Sequence, residues 1–326
     1  MIGYTLFLFI FNEKLKSIPT YMQSIPSHLK LFFALSRTPH GLLDMATPAV
    51  AALLWYGSFP PLRIIVIGLI TTFAGYTAVY AFNDLVDYRV DKQRFEQGLF
   101  PSMKNDLDSI FVRHPIAHGL LSFKKAFFWA IGWAILALTG AYLLNPFCMV
   151  IFLAACLLET IYCLMWRSNY LKVLISGAVK TSGAVAAVFA VDLNPSFPFL
   201  FLLFLWLFFW EIGGQNIPND CADIEEDSPL QATTVPARFG AAYANVIIFF
   251  SLILVVSLSG ILLTVSRVGA QPVGIAASFC AGVYLLLIPA FRLYKGQGRT
   301  QALTLFNRAS YYPLSLLAVV GVTVMI

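Results

Sequence analysis

The chain has 326 residues, of which 59% are hydrophobic and only 11% charged, whereas a soluble domain carries about 25% charged residues. That balance excludes a soluble globular enzyme and points to one polytopic, all-α membrane bundle. The net charge of +5 reflects which loops hold lysine and arginine, and no stretch interleaves basic and aromatic residues as a nucleic-acid groove would.

In chain order, the apolar patch Tyr4 to Phe11 is too short to cross about 30 Å of hydrocarbon and lacks a basic lead-in. Residues 1–36 are therefore expected to form an interfacial or flexible segment ahead of a single membrane domain, 37–326. The first span is expected near 41–57 and contains Asp44 and Pro48. The second, near 62–82, runs directly into Asn83-Asp84-Leu85-Val86-Asp87-Tyr88-Arg89-Val90-Asp91. Each helical residue advances about 100°, so Asp84, Asp87 and Asp91 fall on one face. A polar segment, 92–122, ends in Arg113-His114-Pro115-Ile116-Ala117-His118-Gly119-Leu120-Leu121-Ser122.

Spans then follow near 126–144, 147–166, 171–191 and 197–217. The last of these runs into Asp220-Cys221-Ala222-Asp223-Ile224-Glu225-Glu226-Asp227, which repeats the acid spacing. Three more, near 241–264, 273–291 and 303–326, make about nine. Two acidic faces at two membrane helix ends suit a divalent metal held against a polyanion. Glu225 and Glu226 lie off the aspartate face and are expected in solvent. The five cysteines include no CxxC pair and lie mostly in apolar runs, so they read as small buried hydrophobes. With a cytoplasmic N-terminus, the lysines and arginines divide eighteen to two, with Lys180 inside a span, and both acidic motifs fall on the cytoplasmic face.

These residues resemble the UbiA superfamily of intramembrane prenyltransferases. The resemblance rests on Asn-Asp-x-x-Asp-x-x-x-Asp at 83–91, on Asp-x-x-Asp-x-x-x-Asp at 220–227 and on Thr234-x-Pro236-x-Arg238-x-Gly240. The 113–122 segment and the span order add to it, so that it covers the chain from Arg37 onward. It implies a helical bundle around a cavity open to the cytoplasm, two Mg²⁺ ions, and a prenyl diphosphate whose tail lies among the helices. On this basis the metal ligands are expected to be Asn83, Asp84, Asp87, Asp91, Asp220, Asp223 and Asp227, with Asp87, Asp91, Asp223 and Asp227 carrying the chemistry. Arg113, Lys172 and Arg238, with Lys180 deeper, are candidates for the diphosphate, and Tyr162 and Arg167 are expected beside the substrate.

The physical argument runs the same way. Six carboxylates in one cavity repel one another and raise their own pKa values unless metal and phosphate relieve them. Metal then polarises the leaving diphosphate so that the allylic C–O bond ionises. Lys180, Glu159, Glu211 and Asp44 are costly in hydrocarbon and stand as functional or bracing residues. Glu211-Ile212-Gly213-Gly214-Gln215-Asn216 is expected to frame the cavity. His114 and His118, at i and i+4, form an incomplete metal pair and read first as an interfacial loop.

The expected activity is transfer of an isoprenoid from its diphosphate to a hydrophobic or aromatic acceptor such as a quinone precursor. The alternatives are a terpene cyclase of the same superfamily and, more distantly, a solute or ion carrier. Relatives resembling 4-hydroxybenzoate prenyltransferases carry Tyr-x-x-x-Lys-Arg where this chain has Tyr162-Cys163-Leu164-Met165-Trp166-Arg167. Trp166 in place of lysine argues for a different acceptor, and it is available to stack on an aromatic or prenyl group.

Overall fold

The computed structural model describes residues 28–99, 107, 111–269 and 271–325; the expectation for residues 1–27 lies outside these. Among the described residues the elements are helices and no strands. Three short helices come first: α1 His28–Leu35, α2 Thr38–Asp44 and α3 Ala46–Tyr56. Then come helices long and apolar enough to cross a bilayer: α4 Leu62–Glu96, α5 Phe123–Leu144, α6 Pro146–Leu164, α7 Lys172–Val191 and α8 Phe197–Ala222. Two short helices, α9 Ile224–Asp227 and α10 Val235–Phe239, lie at the end of α8. Three further spans, α11 Ala241–Val265, α12 Pro272–Gly296 and α13 Arg299–Met325, complete eight among the described residues. This is an integral, multi-pass membrane protein.

The expected count of about nine includes the first span, which is present but split into α2 and α3. Pro48 lacks an N–H for the carbonyl of Asp44, four residues back. The Thr47 hydroxyl donates to that carbonyl instead, at 2.9 Å, and the helix breaks at Met45. α3 still belongs to the bundle, packed between α7 and α13.

At 1.5 Å per residue the 35 residues of α4 extend about 52 Å, well beyond the roughly 30 Å of hydrocarbon. The surplus is its last turns, so Asn83 to Glu96 continue one rigid helix out of the apolar layer. α1 braces this projection. Leu35 joins Ala81, Leu85, Ile116, Leu121 and Ala126 in a small apolar cluster, and Trp129 Nε1 donates to Ser36 Oγ at 2.9 Å. The larger core joins α3, α7, α8, α11, α12 and α13 around Trp206, Trp210, Ile248 and Tyr312.

Within α8, Glu211–Asn216 forms a π-helical turn. Its Gly213 sits where a Cβ would come within 3.0 Å of the Ile248 carbonyl oxygen and 2.7 Å of Ser251 Cβ. Small residues at such crossings let membrane helices pack backbone to backbone. Gly213→Val is expected to cost about 1–3 kcal/mol by overpacking, read as earlier thermal unfolding in detergent. An unchanged unfolding curve would mean that α11 yields without cost.

At the opposite end of the bundle, Asp192 Oδ2 accepts from Trp55 Nε1 and from Arg267 Nη2, each at 3.0 Å. The Arg267 guanidinium lies 4.1 Å from the Trp55 ring centre. This brace ties together α3, the end of α7 and the end of α11.

Candidate active site

The two acidic motifs meet. Arg94, one turn beyond Asp91 on α4, has Nη1 3.5 Å from Asp91 Oδ1, while its Nη2 donates to Asp227 Oδ1. The Arg94 guanidinium lies 5.0 Å from the Trp166 ring centre, so Trp166 stacks on the site's arginine. It is not among the residues lining the cavity below. On the second motif, Lys172 Nζ donates to Asp220 Oδ1 at 3.0 Å and lies 5.1 Å from the Tyr162 ring centre. Arg37 Nη2 is 3.7 Å from Asp84 Oδ1. Asp84, Asp91, Asp220, Asp223 and Asp227 are buried, and Asp87 is half-buried between its neighbours.

The second motif differs from the expected single helical face. α8 ends at Ala222, Asp223 leaves helical geometry, and α9 begins anew at Ile224. Asp223, Glu225, Glu226 and Asp227 would crowd like charges at i+3 and i+4 on a continuous helix, and the break relieves this. It also turns Glu226 inward. Glu226 is buried, with Arg299 Nη2 3.1 Å from its Oε1, which corrects its expected place in solvent; Glu225 is exposed as expected. Burial pushes the carboxyl of Asp227 up to about 7 against the pull of Arg94. The same cause takes Glu226 to about 7, with Asp223 adding to it.

His114 enters the site from the connector after α4. Its Nδ1 lies 3.1 Å from Asp84 Oδ1 and 2.8 Å from Asp91 Oδ2. Burial disfavours its charged form, but Asp91 and Asp84 outweigh this and raise its pKa to about 9. His118 turns away and packs on Phe95, with ring centres 4.5 Å apart.

Other expected residues fall elsewhere. Asn83 directs its amide away from the aspartates, donating to Glu159 Oε1 at 2.8 Å. Arg167 donates to Gln93 Oε1 at 2.9 Å near the surface. Arg238 is exposed on α10, and the motif acids find their basic partners in Arg37, Arg94, His114, Lys172 and Arg299. Arg113 lies near enough to Glu226 to act on its charge. Lys180 is two turns further along α7 than Lys172, about 12 Å, where it pairs with Asp44. Tyr80 also donates to Asp44.

Below the motifs a cavity of about 460 Å³ follows α4 from Ile64 to Asn83, about 28 Å of helix. Ala49, Leu53, Gly68, Leu69 and Ala187 contribute to its mostly apolar wall. Its polar groups gather toward the motif end. Tyr162 Oη accepts from Asn216 Nδ2 at 3.0 Å, Asn216 also donates to Ser176 Oγ at 3.1 Å, and Ser176 donates to Glu211 Oε1 at 2.6 Å. The expectation that 211–216 frames the cavity holds for Glu211, Gln215 and Asn216.

The first motif suits a divalent cation by its donors: atoms of Asp84, Asp91 and His114 all lie within 4.8 Å of one another. Arg94 escaped the sequence reading, and His114, read there as half of an incomplete metal pair in an interfacial loop, was not connected with the aspartates because it meets them across a connector. Arg94 alone left a local trace, standing three residues after Asp91.

The sequence model of the UbiA prenyltransferase family matches residues 45–311. None of the curated proteins matches the chain. Among solved structures, a UbiA homologue from Archaeoglobus fulgidus bound to DMAPP and Mg²⁺ is similar at TM-score 0.65 and 18% identity, covering 90% of this chain and 99% of that one. A UbiA homologue from Aeropyrum pernix K1 in its apo form aligns at TM-score 0.65 and 17% identity, over 88% of this chain and 97% of its own. A digeranylgeranylglyceryl phosphate synthase aligns at TM-score 0.64 and 17% identity, over 91% and 99%. At these identities the likeness is one of fold.

Proposed function

The chain belongs to the UbiA prenyltransferase family, and from that premise we propose that it transfers an isoprenoid chain from its diphosphate to a hydrophobic acceptor, an aromatic or quinone precursor. The observation that carries this reading is the meeting of Asp91 and Asp227 across Arg94, beyond the end of a long apolar cavity whose lining reaches Asn83 and Asn219, beside the two motifs. A diphosphate needs the polar end and an isoprenoid tail needs the apolar one. The relative from Archaeoglobus fulgidus bound to DMAPP and Mg²⁺ supports the pairing of substrate and metal.

Asp84 and Asp91 would hold one Mg²⁺ and the acids of the second motif another. Bound there, Mg²⁺ neutralises charge on the leaving diphosphate. Arg94 and Lys172 lie among those acids and can donate charge-assisted hydrogen bonds to phosphate oxygens. Tyr162, its hydroxyl held by Asn216 and its ring beside Lys172, presents an aromatic group at the motif end of the cavity. The apolar wall keeps water from the allylic cation. The excess of lysine and arginine at the motif end supports a site on the cytoplasmic face. Trp166 serves Arg94, so its bearing on acceptor choice is indirect, through the arginine it supports.

The test is to incubate detergent-purified protein with a series of prenyl diphosphates, with and without a panel of phenolic and naphthoate-like acceptors, and to measure diphosphate release and product mass. Mg²⁺-dependent release that requires an acceptor is expected. Release with no acceptor would identify a cyclase instead, and no consumption of any prenyl diphosphate would overturn the reading.

A further inference from the structure

We propose that His114 is a metal ligand, forming with Asp84 and Asp91 a mixed nitrogen–oxygen site that binds Mn²⁺ or a similar first-row ion more tightly than Mg²⁺. The site takes its place from the transferase reading, but its argument rests on three observations of its own.

The first is convergence on one atom. His114 Nδ1 faces Asp84 Oδ1 at 3.1 Å and Asp91 Oδ2 at 2.8 Å. A single ring nitrogen carries at most one hydrogen, so it serves two carboxylates at best by sharing it. A cation among the three faces all of them at once. Metal–donor bonds of about 2.1 Å in octahedral geometry put neighbouring donors about 3 Å apart, the separation seen here.

The second is backbone strain. His114 has φ of 52°, in the left-handed region that costs a non-glycine residue about 1–3 kcal/mol. The following turn holds it there. His118 N–H donates to the His114 carbonyl at 3.2 Å, Leu120 and Leu121 N–H donate to the Pro115 carbonyl, and Ile116 and Leu121 are buried against Leu35 and Leu85. Strain maintained this way delivers the imidazole to one place.

The third is selectivity within the connector. His118, from the same turn, packs against Phe95, so one histidine of the pair is directed at the acids.

The consequence is a change in metal preference. Carboxylate and water ligands suit Mg²⁺, whereas an imidazole adds affinity for first-row transition ions in the order Mn²⁺, Fe²⁺, Co²⁺. The test uses tag-free, Mn²⁺-loaded protein in detergent with no prenyl diphosphate present, so that it stands apart from turnover. Pulsed electron paramagnetic resonance of the wild type is expected to show ¹⁴N coupling to the Mn²⁺. That coupling should vanish in His114→Gln and persist in His118→Gln, and His114→Gln should weaken Mn²⁺ binding about tenfold or more. In competition, Mg²⁺ should displace Mn²⁺ only in large excess. A wild-type spectrum without ¹⁴N coupling, coupling that survives in His114→Gln, or equal affinity for the two ions would overturn the proposal. The wild-type measurement needs no variant to fold. Loss of turnover with every prenyl diphosphate would count against the transferase reading alone.

Discussion

Asp91→Asn and Asp227→Asn are each expected to lower kcat/KM for prenyl diphosphate consumption about 100- to 1,000-fold while the protein still inserts and purifies. Both side chains are buried, and each meets Arg94 from a different motif. The asparagine amide keeps the size and one acceptor oxygen but removes the charge that holds a cation against a diphosphate. Glu225→Gln, an exposed acid in the same run, should leave the rate unchanged and serves as the internal control. Near-normal Mg²⁺-dependent rates in both aspartate variants would sink the two-motif site.

Lys180→Met should cost about 3–5 kcal/mol of stability, because it leaves Asp44 buried at 1% exposure without its cation. Lys180 also lies within 6 Å of the ring centres of Tyr76, Tyr80 and Trp210, so the remaining carboxylate would keep the Tyr80 hydroxyl and His40, whose Nε2 is 3.9 Å away, in an otherwise aromatic wall. Adding Asp44→Leu should recover most of the loss, since removing both charges removes the unpaired one. Thermal unfolding of the two single variants and the double variant measures the coupling. A single-variant loss below about 1 kcal/mol would mean that the pair does not brace the bundle.

Much of the candidate site was legible because its aspartates repeat at helical spacing directly after apolar runs, and a periodic signal survives without knowing what the helix packs against. The partners were not legible for the opposite reason. Arg37, His114 and Arg299 approach Asp84, Asp91 and Glu226 from distant parts of the chain, and nothing local in sequence marks such a meeting. Glu226 was misplaced because a helical wheel assumes an unbroken helix, which ends before Asp223. Asn83 was read as a ligand from its place in the Asn-Asp-x-x-Asp resemblance, one turn before Asp87, whereas in the structure its amide donates to Glu159. The spans were readable from length and hydropathy. The split at Met45 needed the Asp44 carbonyl that Pro48 leaves without a backbone donor, a hydrogen-bond argument rather than a hydropathy one.

The π-helical turn in α8 makes this segment a matter of phase. Glu211 and Asp220 are nine residues apart, and nine steps of about 100° would put them on opposite sides of a plain α-helix. Yet both reach α7: Glu211 at Ser176 and Asp220 at Lys172, which lie one turn apart on a single face. The wider turn absorbs one extra residue and sets the downstream helix back by about 100°, which brings the two acids round to the same side. A bilayer would not register the turn rewinding into plain α-helix, since it senses length only to within a few ångströms. The chemistry would, because rewinding all nine steps into regular α-helix would put Glu211 and Asp220 back on opposite sides and rotate the second motif away from Lys172. Such a rewinding would leave no mark in the hydropathy profile. It acts like a slipped tooth in a gear, with every residue present and the drive disengaged.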